Sequence, residues 1–346
     1  MKKIIALVVL LVIGVLGFVI GKPYYDLHFS GGNLSEQELV YIPTGSNVED
    51  VADIIDGDLM TKEQFLDYAE KLDYTNDKVE PGKYIFEGSY KYKEVIYALK
   101  NGNQEVNDVS ITFNNCLSIA DMAGKVAPNI EADSASIVDY IMDPAIIEKY
   151  GFKEETIIAM FLPDTYEVGE WDMTAEEFVV FMADQFKSFW SAEGIGRGSK
   201  LAELKLSQSE VSTLASIIES EQGVFQQEWG TIAGLYLNRV KGNWLLQSDP
   251  TAKYCWGDEL KDVQRLLTVH MQKDCPYNTY LYPGLPPGPI RMPSKKAIDA
   301  VLNAESHNYY YMCAKPDNSG LHNFANTLTE HNRNARLFHQ WMDSRN

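Results

Sequence analysis

Ser207-Gln208-Ser209-Glu210-Val211-Ser212-Thr213-Leu214-Ala215-Ser216-Ile217-Ile218-Glu219-Ser220-Glu221-Gln222-Gly223 is the most strongly patterned stretch of this chain. Ser207 followed three residues later by Glu210 has the spacing of a capping box, in which hydroxyl and carboxylate each satisfy a backbone N–H at a helix start. Val211, Leu214, Ala215 and Ile218 then recur at i, i+3, i+4 and i+7, the period of one helical face. Gly223 supplies a stop. With Val211 at zero and about 100° per residue, the apolar stripe runs from Ile217 at about 240° to Ala215 at about 40°. Glu219 falls at about 80°, on one border of the stripe, and Glu221 at about 280°, within its other side. A carboxyl so placed is partly desolvated, which favours its neutral form and raises its pKa, as a general acid at neutral pH requires. Periodicity does not choose between the two, and either could equally be a solvated residue at a helix edge.

Downstream, residues 229–241 carry Ile232, Ala233, Leu235, Tyr236 and Val240 at helical spacing and stop at Gly242. Gln247, Ser248 and Thr251 follow in a polar turn. Residues 282–289 are rich in Pro and Gly, which forbids regular structure and favours a rigid wall. A helix over 294–304, a strand over 309–312 and a helix over 329–341 complete this part. Upstream, residues 39–45 read as a strand entering a turn, followed by Val48, Val51, Ala52 and Ile55 at helical spacing. A weaker copy holds Ile111 and Phe113, then Leu117, Ile119, Ala120 and Met122, so a small βα module recurs. Residues 132–206 read as mostly helical, interrupted by a turn at Pro163-Asp164-Thr165-Tyr166, with a joint at Gly194, Gly196 and Gly198.

The 346 residues, 45% of them hydrophobic, exclude a mainly disordered chain. A formal net charge of −19 repels polyanions and argues against nucleic-acid binding. After Lys2 and Lys3, residues 4–20 are unbroken and apolar, ending at Gly21-Lys22-Pro23. At about 1.5 Å per residue this run spans roughly 25 Å, near the lower limit for a bilayer core. Residues 1–21 are therefore expected to be a single-pass anchor with the bulk of the chain outside the cytoplasm. The competing reading is a cleaved signal peptide; both export the chain. The four cysteines lack zinc-module spacing. In an exported chain Cys255 and Cys275 could bridge the segment between them, or all four could be buried thiols. The expected order is anchor 1–21, stalk 22–38, βα region 39–131, helical connection 132–206 and a helix-led domain 207–346, an α+β protein overall.

Ala215-Ser216-Ile217-Ile218-Glu219, Leu237-Asn238-Arg239, Leu246-Gln247-Ser248-Asp249-Pro250-Thr251, Tyr277-Asn278-Thr279-Tyr280 and Gly284-Leu285-Pro286-Pro287-Gly288-Pro289-Ile290 occur in that order. Together with Pro81-Gly82-Lys83-Tyr84, Pro163-Asp164-Thr165-Tyr166 and His331-Asn332, they resemble the endolytic murein transglycosylases of the MltG (YceG-like) family. The resemblance implies an inner-membrane enzyme facing the periplasm or cell wall, with a LysM-like module ahead of its catalytic domain, which cuts peptidoglycan glycan strands internally. The family's catalytic Glu follows the Ala-Ser-Ile-aliphatic run, which implies Glu219. The next residues are commonly Lys-Glu-Thr in the family and are Ser220-Glu221-Gln222 here. A usual Glu-Gly pair is replaced by Asn114-Asn115-Cys116.

The implied chemistry needs one carboxyl: it protonates the glycosidic oxygen, then takes the proton of the sugar's own C6 hydroxyl as that oxygen closes onto C1. No metal or cofactor is required. The resemblance places Gln247, Ser248, Thr251, Tyr277, Asn278 and Tyr280 in the substrate groove, where amides and hydroxyls suit sugar groups and the tyrosines can stack on pyranose rings. Asp249 reads as an Asx-type turn before Pro250, and Arg239 as a partner for a muramyl carboxylate or for an internal one. His322 and His331 lie at no metal spacing. A two-carboxylate muramidase using Asp249 or Glu221, and a non-catalytic peptidoglycan scaffold, are the rival functions. Cooperation with the cell-wall elongation machinery is a family-level expectation.

Overall fold

The computed structural model of the chain describes residues 2–102, 109–192, 194, 196–260, 263 and 266–345. Helices and short strand pairs divide into two compact units that interleave along the sequence rather than following one another. One gathers Met1–Ser110, Pro128–Ala132 and Glu167–Thr174; the other gathers Ile111–Ala127, Asp133–Tyr166 and Ala175–Asn346.

The first unit begins with α1 (Lys2–Phe29), which runs on through the expected start of the stalk. Pro23 lies inside it, and the i, i+4 pairs Lys22–Asp26, at 3.1 Å, and Tyr25–Phe29 hold the turns that follow. The stalk is shortened further because β1 (Gly31–Asn33) pairs with β4 (Ser89–Lys91). No helix among the described residues is long and apolar enough to cross a membrane. The side chains of residues 1–10, 13, 16 and 20, most of the expected anchor, lie outside the described residues.

Next come β2 (Glu38–Ile42), α2 (Val48–Ile55), α3 (Lys62–Lys71) and β3 (Gly82–Phe86), with β2 and β3 antiparallel and Val40 opposite Tyr84. Asn47 and Thr61 start the two helices with capping boxes closed by Asp50 and Gln64. α4 (Tyr92–Lys100) completes a core in which Ile42, Val51, Phe65, Ile96 and Leu99 are fully buried. The second βα copy, β5 (Val109–Phe113) and α5 (Ile119–Val126), falls mostly in the other unit, so the copies do not build one repeated body.

In the second unit α6 (Ser134–Met142), α7 (Pro144–Lys149), α8 (Ala175–Ser191) and α9 (Arg197–Leu204) form the helical stretch. The turn expected at 163–166 is instead the start of β6 (Asp164–Gly169), which pairs with β5. Of the expected glycine joint, Gly196 caps α9 at φ 70° and Gly198 lies within it; residues 193 and 195 are outside the described residues.

α10 (Gln208–Glu221) starts at the Ser207–Glu210 capping box, and every residue from Val211 to Ile218 is buried. It packs against α11 (Trp229–Lys241), α12 (Asp249–Trp256) and α13 (Lys295–Leu302). β7 (Tyr311–Ala314) and β8 (His322–Ala325) form an antiparallel pair with Ala314 opposite His322, and α14 (Leu328–Asp343) packs on them. The buried Ser216 hydroxyl accepts the Ile290 N–H at 3.0 Å, tying the Pro-rich segment to α10. Gly288 is required there, since a Cβ would lie 1.9 Å from the Glu155 carbonyl oxygen. Cys255 and Cys275 are bridged, with their Cα atoms 6.0 Å apart, while Cys116 and Cys313 are free.

Candidate active site

The last turn of α10 ends beside a polar hollow of about 230 Å³. Its walls come from α11, the start of α12, the 278–280 segment and the β7–β8 pair. Glu221 is its central acid. One carboxylate oxygen, Oε1, accepts the Tyr236 hydroxyl at 2.7 Å and the Ser248 hydroxyl at 2.5 Å. Burial pushes the Glu221 carboxyl above the ordinary range, and the nearby Asp249 charge adds to this; the two hydroxyl bonds offset part of it. Tyr236 is held far above its own range, first by burial and then by the Glu221 charge, so it stays a donor.

Glu219, the acid implied by the family motif, is placed outside this hollow. Its Oε2 accepts the backbone N–H of Ser294 at 2.9 Å, and Ser294 caps α13. A carboxylate there satisfies a helix N-terminal donor and favours the helix dipole, a structural role. Glu219 does not line the hollow. The physical reason lies in the helix itself: side chains two residues apart point about 200° apart around its axis, which carries Glu221 to the face shared with Tyr236 and Ser248.

The remaining expected residues separate into two groups. Gln247 lines the hollow, with a left-handed backbone at φ 49° and its N–H bonded to the Thr279 carbonyl at 3.0 Å. Tyr280 also lines it and donates to Asp249 at 2.5 Å. Ser248 reaches Glu221 directly and is fully buried. Thr251 and Asn278 are instead internal fasteners. The Thr251 hydroxyl is 2.7 Å from that of Thr279, and Asn278 donates to the Met271 and Lys273 carbonyls at 3.0 and 2.8 Å. Both are buried, with no polar atom left for a sugar. Tyr277 packs on Tyr254 with ring centroids 4.6 Å apart and stands away from the hollow lining. Thr251 sits in α12 and not in a turn, because Pro250 occupies the first helical turn, where its missing N–H costs nothing. Asp249 accordingly begins a helix and accepts from Tyr280, in place of closing an Asx turn.

Among the described residues Arg239 pairs with no carboxylate. Its Nε and Nη1 donate to the carbonyls of Tyr310 and Leu246 at 2.8 and 2.6 Å, while the side chain lines the hollow. Burial lowers its pKa. Asn238 beside it donates to the His307 and Tyr309 carbonyls, so the Asn-Arg pair of α11 holds the entry to β7. Tyr236 and His322 are site residues that sequence reasoning missed. Tyr236 carries the periodicity of a core position, and His322 sits alone in a four-residue strand, so neither has a local signal. A larger hollow, about 500 Å³, is walled by Phe152, Phe186 and Trp190. Its charged groups, Asp184 and Lys187, are exposed, so it lacks the hydrogen-bonded, half-buried carboxyl that makes the smaller one a candidate.

A half-buried, hydrogen-bonded carboxyl opening on a polar hollow in an α+β protein is an arrangement suited to acid–base chemistry. The chain belongs to the YceG-like family, whose model matches residues 40–337. It is similar to the endolytic murein transglycosylase of Bacillus subtilis (strain 168), 26% identical over 309 residues that make up 85% of this chain and 82% of that protein. It is also similar to the protein of the same name from Streptococcus pneumoniae serotype 2 (strain D39 / NCTC 7466), 24% identical over 335 residues, 88% of this chain and 58% of that longer protein. A crystal structure of a YceG-like protein from Listeria monocytogenes shares the fold, with a TM-score of 0.55 at 24% identity over 87% of this chain and 99% of that one.

Proposed function

We propose that this protein is an endolytic peptidoglycan lytic transglycosylase and that Glu221 carries its chemistry. The observation behind this reading is a half-buried carboxyl that lines a polar hollow and whose proton is favoured by desolvation. Protonated Glu221 donates to the oxygen of the β-1,4 bond between N-acetylmuramic acid and N-acetylglucosamine, and the C1–O bond breaks. The Glu221 carboxylate then takes the C6 hydroxyl proton as O6 bonds to C1, which leaves a 1,6-anhydromuramoyl end and restores the acid. Because the nucleophile belongs to the substrate, a single carboxyl suffices. Tyr236 and Ser248 orient the carboxylate and support it while it is charged. Glu221→Gln is expected to lower cleavage of purified glycan strands by at least about 100-fold, and Glu219→Gln to stay within about 10-fold of the wild type. The reverse order of activities would return the role to Glu219.

Asp249 supports a second reading. It lines the same hollow and its charge acts on Glu221, as the partner of a two-carboxylate muramidase would. Product mass spectrometry separates them: anhydro ends for the transglycosylase, ends heavier by one water for the hydrolase. The β2–α2–α3–β3 order of the first unit supports its reading as a LysM-like module that holds glycan. The apolar run at 4–20, inside the 28-residue α1, supports a single-pass inner-membrane anchor with the catalytic unit on the extracytoplasmic side. There the enzyme would end strand growth beside the elongation machinery.

A further inference from the structure

His322 stands on the wall of the Glu221 hollow, and among the described residues its attachment engages only one ring nitrogen. Nδ1 lies 2.9 Å from Oε2 of Glu228, and the His322 backbone N–H donates to Oε1 of the same carboxylate at 2.9 Å. A carboxylate only accepts, so Nδ1 carries the ring proton and, in the neutral ring, Nε2 presents a lone pair. Glu228, buried at 8% exposure, is itself fixed by Gln222, whose Nε2 donates to Oε2 at 2.9 Å and to the Gly320 carbonyl at 2.9 Å. Gln222 is the residue after Glu221 and caps α10. One network therefore fixes the end of the helix that delivers the acid and the ring on another wall of the same hollow. Neither Glu228 nor Gln222 lines that hollow, whereas His322 does.

We propose that His322 binds the saccharide through Nε2, accepting a hydroxyl of the bound sugar and so fixing the ring against Glu221, with Glu228 as the positioning residue behind it. This rests on the glycan-cleaving reading above and adds to it a contact that selects a neutral sugar donor over an anionic group. An acceptor nitrogen repels a carboxylate oxygen, so the muramyl lactyl group and its peptide are directed elsewhere along the strand.

The alternative is that the imidazole merely satisfies the buried Glu228. Two amides distinguish them in the full chain. Asn places its amide nitrogen near Nδ1 and keeps the Glu228 bond without reaching the hollow; Gln places its amide near Nε2. With glycan strands as substrate, His322→Asn is expected to keep the wild-type melting temperature within about 2 °C and to lose cleavage by about 100-fold. His322→Gln is expected to retain activity within about 10-fold of the wild type and to exceed His322→Ala. A His322→Asn protein of wild-type activity, or a His322→Gln protein no better than His322→Ala, would overturn the proposal. Failure of the underlying reading shows separately, in products that carry reducing ends. The rate order of the three variants still judges His322 in that case.

Discussion

Glu221 pulls stability and reactivity in opposite directions. Burial raises its folded-state pKa above the unfolded value, so the native state binds more protons than the unfolded chain wherever the pH lies between the two. The stabilising contribution is complete below the unfolded pKa and is lost as pH rises through the folded one, so once that pH is passed the ionised Glu221 costs stability. Glu221→Gln removes that cost. The variant is expected to melt at a higher temperature than the wild type at about pH 7.5, with the gap closing toward about pH 4, where the wild-type carboxyl is neutral as well. Calorimetry across that range checks it, and a gap that is constant or widens toward acid would refute the assignment of a destabilised buried acid. The two glutamates at the end of α10 show the limits of local reading. The helical wheel puts Glu221 inside the apolar stripe and Glu219 on its border, yet both are half-buried. The family motif implies Glu219, while the family's Lys-Glu-Thr segment also has a Glu in its middle, where Glu221 stands. Only the arrival of Tyr236 from α11 and Ser248 from the turn before α12 separates the surroundings of the two, and those contacts are non-local.

Elements were legible where the pattern was long and its ends were marked. α11 occupies the span read from its periodicity and from Gly242, and α10 begins at the capping box. Two short elements are not legible because a proline reads as a break. Pro250 instead starts α12, and Pro163 precedes β6, whose Tyr166 is buried while Thr165 is exposed. The disulfide was an open alternative in the sequence, since a separation of 20 residues does not tell whether two thiols meet. It joins the end of α12 to the segment that carries Asn278, Thr279 and Tyr280, and Thr279 in turn receives the Gln247 and Ser248 N–H groups. Replacing both cysteines by serine is expected to cost about 3 kcal/mol on the chain-entropy account and to lower cleavage as well, because one rim of the hollow loses its tether. Melting curves with and without reductant test this; identical curves would mean that the bridge contributes nothing.

On the scale of the whole molecule, a net charge of −19 must meet a substrate whose peptide stems bear free carboxylates. Long-range forces then oppose encounter, and binding falls to short-range hydrogen bonds and stacking in the groove. Raising ionic strength from about 10 mM to about 150 mM shortens the screening length from about 30 Å to about 8 Å. The efficiency kcat/KM on peptide-bearing strands is therefore expected to rise over that range, and to stay flat on strands stripped of their peptides. A fall with salt on the intact strands would reveal a cationic binding face that outweighs the net charge. Gln247, at φ 49° on the lip of the hollow, carries a further consequence. A side chain in that backbone conformation costs about 1 to 2 kcal/mol that glycine would not, and its amide makes no hydrogen bond among the described residues. A library of this chain screened only for heat resistance would thus collect Gly at 247 and Gln at 221. Its hardiest survivors would be inert proteins, so durability is the wrong currency for breeding better versions of this enzyme.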